Sequence, residues 1–288
     1  MQHRNIAVIS TFTETYIFPS ILKGIGQVLT EYGYSLQVYF TDNRLSNEES
    51  ILRLLIEKDD IDGLIVEPVK SALPNPNLHY YKELLRRGVC MLCFNTAYRD
   101  LPCPCVRIDD IAAARMATDL LIGQGHRKIG LMVKSDDGQG PLRYQGCLEA
   151  LARAGIRTDQ DHVIWLDSPA AASLDRLGDY LFDRLSGCTG VVCYNDQIAY
   201  QLVDLALERG IRIPEDLSVV GIDDSYLASV CKVPFASVAH PKEALGREAA
   251  ANLVAMIRDP GFDADLIMEP RMVLRDSVAC IGAAEKVS

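Results

Sequence analysis

A carboxylate and an ammonium stand three residues apart in Val-Glu-Pro-Val-Lys, as Glu67 and Lys70. Asn95 lies in Cys-Phe-Asn-Thr, Arg143 in Leu-Arg-Tyr-Gln-Gly, Asn195-Asp196 in Cys-Tyr-Asn-Asp, and Asp223-Asp224 in Gly-Ile-Asp-Asp-Ser. Almost all of them follow a short apolar run directly. Amides, carboxylates and a guanidinium present donors and acceptors in fixed directions. That is the chemistry for gripping an uncharged, many-hydroxylated molecule such as a sugar. The loop Thr11–Phe18, which holds Thr13 and Glu14, also carries Tyr16 and Phe18. An aromatic ring there suits the apolar face of a sugar.

Each candidate also has a plainer role. Glu67 is a turn carboxylate, yet Lys70 so close behind favours a pair facing a ligand. Asn95 serves equally well as a turn or cap amide. Asp109-Asp110 precede a helix, where an aspartate accepts backbone N–H bonds, so capping is their first reading. Pro19 suits a first helical turn. Arg143 is read as opening a helix after the loop Asp136–Gly140. A cation at a helix start opposes the dipole, which points to a ligand task. Its removal is expected to leave folding little changed. One member each of Asn195-Asp196 and Asp223-Asp224 caps a helix while the other faces the ligand. His126 at a helix end is read as structural, and His240 in Val-Ala-His-Pro as a hinge or a ligand donor.

Catalysis finds little support. Ser225 lacks a nucleophile-elbow setting. No His/Asp/Glu group has metal-site spacing. The loop Asp136–Gly140 is not a Walker A loop, and Ser10–Pro19 contains no glycine for a dinucleotide fingerprint. The expectation is no enzyme activity, no cofactor and no metal.

The elements that must position these residues alternate. Strands are expected at Asn5–Ser10, Ser35–Phe40, Ile61–Val66 and Val89–Phe94, with helices at Phe18–Tyr32, Asn47–Lys58 and Leu78–Arg87. The scheme restarts with a helix Ile111–Gly123, then strands Ile129–Val133, Val163–Leu166, Gly190–Tyr194 and Leu217–Ile222. Between these strands come helices Tyr144–Ala154, Ala172–Leu185 and Gln197–Arg209, and afterwards Pro241–Arg258. Leu266–Leu274 reads as one or two short strands. Near-continuous apolar strands between helices mean parallel sheets covered on both faces. The fold class is α/β, with two Rossmann-like lobes. Ligands of such open sheets bind beyond the carboxyl ends of the strands, where the candidates cluster.

The 288 residues suffice for two cores, and 49% hydrophobic with 24% charged residues is a globular balance. A net charge of −10 argues against a nucleic-acid surface or an anionic membrane as partner. No apolar run spans a bilayer. Met-Gln-His-Arg-Asn leads straight into a strand without a signal peptide, so a cytoplasmic location is expected. A secreted domain given a new Met would look the same. The nine cysteines lack a regular spacing and are read as reduced, structural hydrophobes, with Cys90, Cys93, Cys193 and Cys280 in strands.

The order of motifs resembles the effector-binding domain of the lactose/galactose repressor (LacI/GalR) family, itself similar to periplasmic sugar-binding proteins. The marks are Gly-His-Arg-Lys-Ile-Gly (125–130), Arg143-Tyr-Gln-Gly, Tyr194-Asn-Asp-Gln-Ile-Ala, the run Ile213–Asp224 and Ala236-Ser-Val-Ala-His-Pro. Tyr16-Ile-Phe-Pro-Ser, Asp62–Ala72 and Lys134-Ser-Asp-Asp-Gly-Gln-Gly resemble the arabinose repressors of Gram-positive bacteria more closely. The resemblance implies a periplasmic-binding-protein-like type I fold. Its lobes would be residues 1–108 plus 242–268, and 109–241 plus 269–288, linked by three crossovers. It implies a homodimer and a monosaccharide effector, L-arabinose favoured, bound between the lobes to control operator DNA. The family's sugar-binding positions fall on Asn95, Arg143, Asn195, Asp223 and His240. Glu67 and Lys70 belong to the arabinose-repressor-like motif alone. Such repressors carry a GntR-type winged-helix segment, and none precedes Asn5. Operator DNA is therefore expected as a partner only through a segment not present in this chain. The alternative is a sugar-binding protein of a transport system with the same fold.

Overall fold

The computed structural model describes residues 4–12 and 16–281. In chain order the first elements are β1 (Asn5–Ser10), α1 (Phe18–Glu31), β2 (Ser35–Phe40), α2 (Leu45–Lys58), β3 (Gly63–Val66), α3 (Leu78–Arg86), β4 (Cys90–Phe94) and β5 (Cys105–Ile108). There follow α4 (Asp110–Gly123), β6 (Ile129–Lys134), α5 (Gln139–Arg153), β7 (Val163–Leu166), α6 (Ser168–Ala171), α7 (Gly178–Arg184), β8 (Gly190–Cys193), α8 (Asp196–Glu208) and β9 (Ser218–Asp223). The last are α9 (Tyr226–Val230), β10 (Ala236–Ala239), α10 (Lys242–Arg258), β11 (Leu266–Met268) and β12 (Arg271–Val273).

The chain divides into two compact units. One gathers the residues up to Ile108 with Pro241–Met268, and the other Asp109–His240 with the segment from Glu269 onward. The first unit holds a sheet of order β11-β5-β4-β3-β1-β2, parallel throughout. The second holds β12-β10-β9-β8-β6-β7, parallel except for the edge strand β12, which runs against β10. The fold is thus two doubly wound α/β units.

The strands are apolar throughout because both faces are covered. In the first unit Ala7, Ile9, Leu64 and Val66 pack with Leu52 and Leu55 of α2 and Tyr81 and Leu84 of α3. On the other face Gly63 meets Leu253 and Ile257 of α10. In the second unit Met132, Val191 and Cys193 share a core with Leu181 of α7 and with Leu202 and Val203 of α8.

Each unit also contains one unusually close helix pair. A Cβ on Gly24 of α1 would lie 2.2 Å from the Glu243 carbonyl oxygen of α10, and one on Gly246 would lie 2.1 Å from Ile21 O. In the second unit a Cβ on Gly146 of α5 would lie 2.1 Å from Ile111 O of α4. Hydrogen alone fits at these crossings, so the backbones approach to a distance that alanine forbids.

Several expectations need correction. Strands β5 and β10 were not expected. Each has four residues and lies beside prolines, so neither is long enough for a periodicity to stand out. The single helix expected at Ala172–Leu185 is broken. Asp167 caps the short α6 by accepting from Ala170 N–H, a 3₁₀ turn spans Leu174–Leu177, and α7 starts only at Gly178. The tail forms two strands, one in each sheet. Cys280 is exposed and outside any strand. His126 is buried, its ring nitrogens at 2.9 Å from Thr189 Oγ1 and 3.1 Å from Ala279 O. Burial lowers its pKa and favours the neutral ring, which clasps the tail in keeping with a structural role.

Candidate functional site

In the first unit the candidates gather at the carboxyl ends of β1, β3 and β4. Glu67 follows β3 and is 7% exposed. Its Oε1 accepts from Asn95 Nδ2 at 2.8 Å, and its Oε2 accepts from Thr11 N at 2.9 Å and Thr11 Oγ1 at 2.5 Å. Ser10 Oγ donates to the same oxygen at 3.4 Å. Glu67 thus ties three strand ends together, and Ser10 and Thr11 join the group unannounced by the sequence. Asn95 is buried behind β4 and takes φ +64°. Lys70 takes φ +45°, and its backbone N–H donates to Asn43 Oδ1 at 3.1 Å. Tyr16 is half-buried at φ +74°. Phe18 begins α1, buried, with its ring 5.8 Å from that of Phe12. Pro19 stands in the first turn of α1, as its fixed φ allows. Thr13 and Glu14 lie outside the described residues.

In the second unit the centre is Arg143, 2% exposed. Its Nε donates to Asp110 Oδ1 at 2.7 Å, its Nη1 to the Tyr194 carbonyl at 2.5 Å, and its Nη2 lies 3.6 Å from Asp223 Oδ1. The guanidinium also stacks over the Tyr194 ring, 4.5 Å from its centroid. Arg143 does not open a helix. Helix α5 starts four residues earlier, at Gln139, so the dipole conflict disappears. A Cβ on Gly140 would lie 1.9 Å from Lys134 O, and this glycine lets α5 begin directly against the end of β6.

Asp109 caps α4, accepting from Ala112 N–H at 2.8 Å. The cap needs only one of the two aspartates. Asp110 turns inward, fully buried, to Arg143 and to Gln139 Nε2 at 3.2 Å. Burial pushes its carboxyl up to about 6, against the pull of Arg143. Burial also works against the charge on Arg143, but Asp110 and Asp223 outweigh it and hold the guanidinium protonated. The sequence did not mark Asp110, since capping is the first reading of both aspartates, and the fold turns one of them inward.

Asn195 caps α8 with its side-chain oxygen, accepting from Ile198 N–H at 3.1 Å, which leaves its NH₂ group as the donor it can offer elsewhere. Asp196 is buried beneath the next turn. Its Oδ2 accepts from Ser225 N at 2.6 Å and its Oδ1 from Ser237 Oγ at 2.5 Å, while Ser237 Oγ accepts from Asp224 N at 2.9 Å. Burial and the nearby charge of Asp223 raise the Asp196 carboxyl above its ordinary range. Asp223 ends β9 at φ +114°, and His240, buried after β10, donates its backbone N–H to Asp223 O at 3.2 Å.

Four sequence candidates, Tyr16, Lys70, Asn95 and Asp223, therefore occupy left-handed backbone conformations that side chains disfavour. Such strain persists where surrounding contacts over-determine it, and it concentrates at ligand-handling positions. The structure brings Glu67 and Asn95 together in one unit, and Arg143, Asp223 and the Tyr194–Asn195 turn in the other. Among the described residues no group of three or more His, Cys, Asp or Glu side chains is arranged to hold a metal ion. No helix among them is long and apolar enough to cross a membrane.

The family described as periplasmic binding protein-like domain matches residues 118–278. The arabinose metabolism transcriptional repressor of Halalkalibacterium halodurans is 37% identical over 286 residues, covering 96% of this chain and 76% of that protein. The repressor of the same name from Geobacillus stearothermophilus is 33% identical, covering 95% of this chain and 76% of its own length. Among solved structures, the transcriptional regulator CelR in complex with cellobiose superposes with a TM-score of 0.85 at 26% identity, covering 96% of this chain and 85% of that one. Two of these relatives are transcriptional repressors of arabinose metabolism, and the third is a transcriptional regulator in complex with cellobiose. In sequence and in fold alike, the chain belongs to the periplasmic binding protein-like domain family, close to the arabinose metabolism repressors and LacI-family regulators.

Proposed function

We propose that this protein is the sugar-sensing part of a transcriptional repressor. Its effector is a monosaccharide, L-arabinose before others, bound through the polar residues at the strand ends of each unit. The observation that carries this reading is the gathering of amide, carboxylate and guanidinium groups at the carboxyl ends of β3, β4, β8 and β9, the place where open α/β sheets take their ligands. Sugar hydroxyls both donate and accept. Carboxylates such as Glu67 and Asp223 take their protons, while Arg143, Asn195 and Asn95 complete the pattern. Lys70 and His240 add donors, and Tyr16 and Phe18 offer aromatic faces. The kinship with arabinose repressors at 37% and 33% identity favours the pentose.

Control of operator DNA passes, in this reading, through a DNA-binding element and not through this chain's own surface, whose net charge of −10 gives DNA no electrostatic footprint. The working unit is a homodimer in the cytoplasm. Titration calorimetry with L-arabinose, other pentoses, hexoses, cellobiose and a nucleotide tests the effector. Saturable binding of L-arabinose, tighter than any other compound of the panel, is expected. Binding of the nucleotide alone would overturn the reading, and preference for cellobiose would replace the monosaccharide with a disaccharide.

A further inference from the structure

Beneath the turn that carries Glu67 and Lys70 lies a second carboxylate. Glu48, in the first turn of α2, is fully buried. Its Oε1 accepts from Tyr81 OH at 2.7 Å and from Tyr98 OH, and its Oε2 accepts from Asn75 Nδ2 and Asn77 Nδ2, each at 2.9 Å. A buried anion is costly unless its lone pairs are filled. Four neutral donors fill them here.

The Tyr98 hydroxyl has a further partner. It accepts the backbone N–H of Val69 at 2.6 Å, the second residue after Glu67. The next amide, that of Lys70, is held by Asn43 Oδ1 at 3.1 Å. Two consecutive N–H groups of the turn are thus fastened by side chains. Tyr98 also stands three residues after Asn95, whose amide donates to Glu67 at 2.8 Å. One loop therefore grips the other at two points, through Asn95 on the Glu67 side chain and through Tyr98 on the Val69 backbone.

We propose that Tyr98, polarised by the buried carboxylate of Glu48, is a positioning residue for the ligand-binding turn Glu67–Lys70. The phenol gives its one proton to Glu48. Its oxygen becomes a stronger acceptor for Val69 N–H, because hydrogen bonds in a chain polarise one another in a low-dielectric interior. That bond holds the backbone in the conformation that places Lys70 at φ +45° and aims Glu67 at Asn95. Burial, and then the charge of Glu48, keep the Tyr98 phenol far above its ordinary pKa, so it remains a donor at every working pH. The role rests on the sugar-binding reading above. It adds to it a residue that touches no ligand and acts through the backbone beneath one.

Tyr98→Phe removes the hydroxyl and keeps the ring in its core. Amide hydrogen exchange without sugar reads the positioning directly. Val69 exchange should quicken by about tenfold, the loss of one hydrogen bond, while amides inside β3 and β4 keep their protection. Sugar affinity measured by calorimetry should fall by about tenfold, with a melting temperature close to that of the parent. Glu48→Gln should move both readouts in the same direction. The double variant should be no worse than the more affected single one, because the two residues act in series. Unchanged Val69 exchange in Tyr98→Phe overturns the proposal, as does faster exchange with unchanged affinity. A parent protein that binds no sugar at all sinks the sugar reading instead, and Val69 exchange still decides whether the turn is held in this way.

Discussion

In the first unit a buried anion, Glu48, is held by four neutral donors, whereas in the second a buried cation, Arg143, lies between the carboxylates of Asp110 and Asp223. Both arrangements sit under strand-end turns, and each fastens a helix start to the turn above it. Glu48 reaches the Glu67–Lys70 turn through Tyr98. Arg143 ties Asp110, at the start of α4, to the Tyr194 carbonyl after β8 and to Asp223 at the end of β9. The same mechanical task is met with neutral dipoles in one case and with full charges in the other. Neutral donors lose little when one is removed, because the others remain. A charge cluster loses much, because removal of its cation leaves buried anions facing each other.

The sharpest break in this contrast is Arg143→Ala. It strands Asp110 and Asp223 without their guanidinium and should cost about 3–5 kcal/mol of stability, as loss of one partner from a buried ion pair does. That reverses the expectation, drawn from the sequence, that folding would hardly notice the change: a side chain 2% exposed with three partners is part of the interior. Arg143→Lys should restore only a fraction, since an ammonium cannot copy the planar fork. Chemical denaturation of both variants, beside sugar titration, separates the structural loss from any loss of binding. Glu48→Gln keeps an acceptor for two of the four donors and should cost less, about 1–3 kcal/mol. Equal costs at Arg143 and Glu48 would erase the distinction between the units.

A smaller test asks whether the units share their packing where they differ in electrostatics. Gly246→Ala in the α1–α10 crossing and Gly146→Ala in the α4–α5 crossing each force a Cβ against a carbonyl oxygen at 2.1 Å. Each should lower stability by about 1–3 kcal/mol, the usual cost of overpacking. A large loss at one crossing and none at the other, by thermal unfolding, would mean that the likeness of the two helix pairs is superficial.

The smallest expected effect concerns pH. Asp196 is raised in the folded state, so between the ordinary aspartate value near 4 and its folded value the native protein holds a proton that the unfolded chain has lost. Stability from this group therefore falls as pH rises through that window. Asp110, pushed up to about 6, adds to the same slope. Asp196→Asn should flatten the decline of melting temperature between roughly pH 4 and 7 relative to the parent. A parallel shift of the whole curve, with the slope kept, would show that Asp196 does not titrate there.

Much of the fold was legible because helix and strand periodicities are local. The run Ile6–Ile9, the amphipathic stretch after Pro19 and the glycines that close helices can all be read within a few residues. The places where reading failed are those where a segment was too short to show a period, as at β5 and β10, or where a neighbour intervened, as at the broken helix after Asp167. The candidate residues were legible as polar interruptions after apolar runs. Their partners were not. Ser10 reads as the end of a strand and Thr11 as the start of a loop, and nothing in the sequence sets Tyr98 or Glu48 apart.

By itself the sequence determined the alternation of elements, the two-unit α/β class and the polar character of the strand ends, since each depends on residues a few positions apart. Only the tertiary structure decided which polar groups meet. Arg143 finds Asp110 across 33 positions and Tyr98 finds Glu48 across 50. A carboxylate's worth depends on whether it is wet or buried, and on whether a guanidinium or a phenol faces it. Those are properties of the packed interior, settled when distant segments close around the same oxygen atoms.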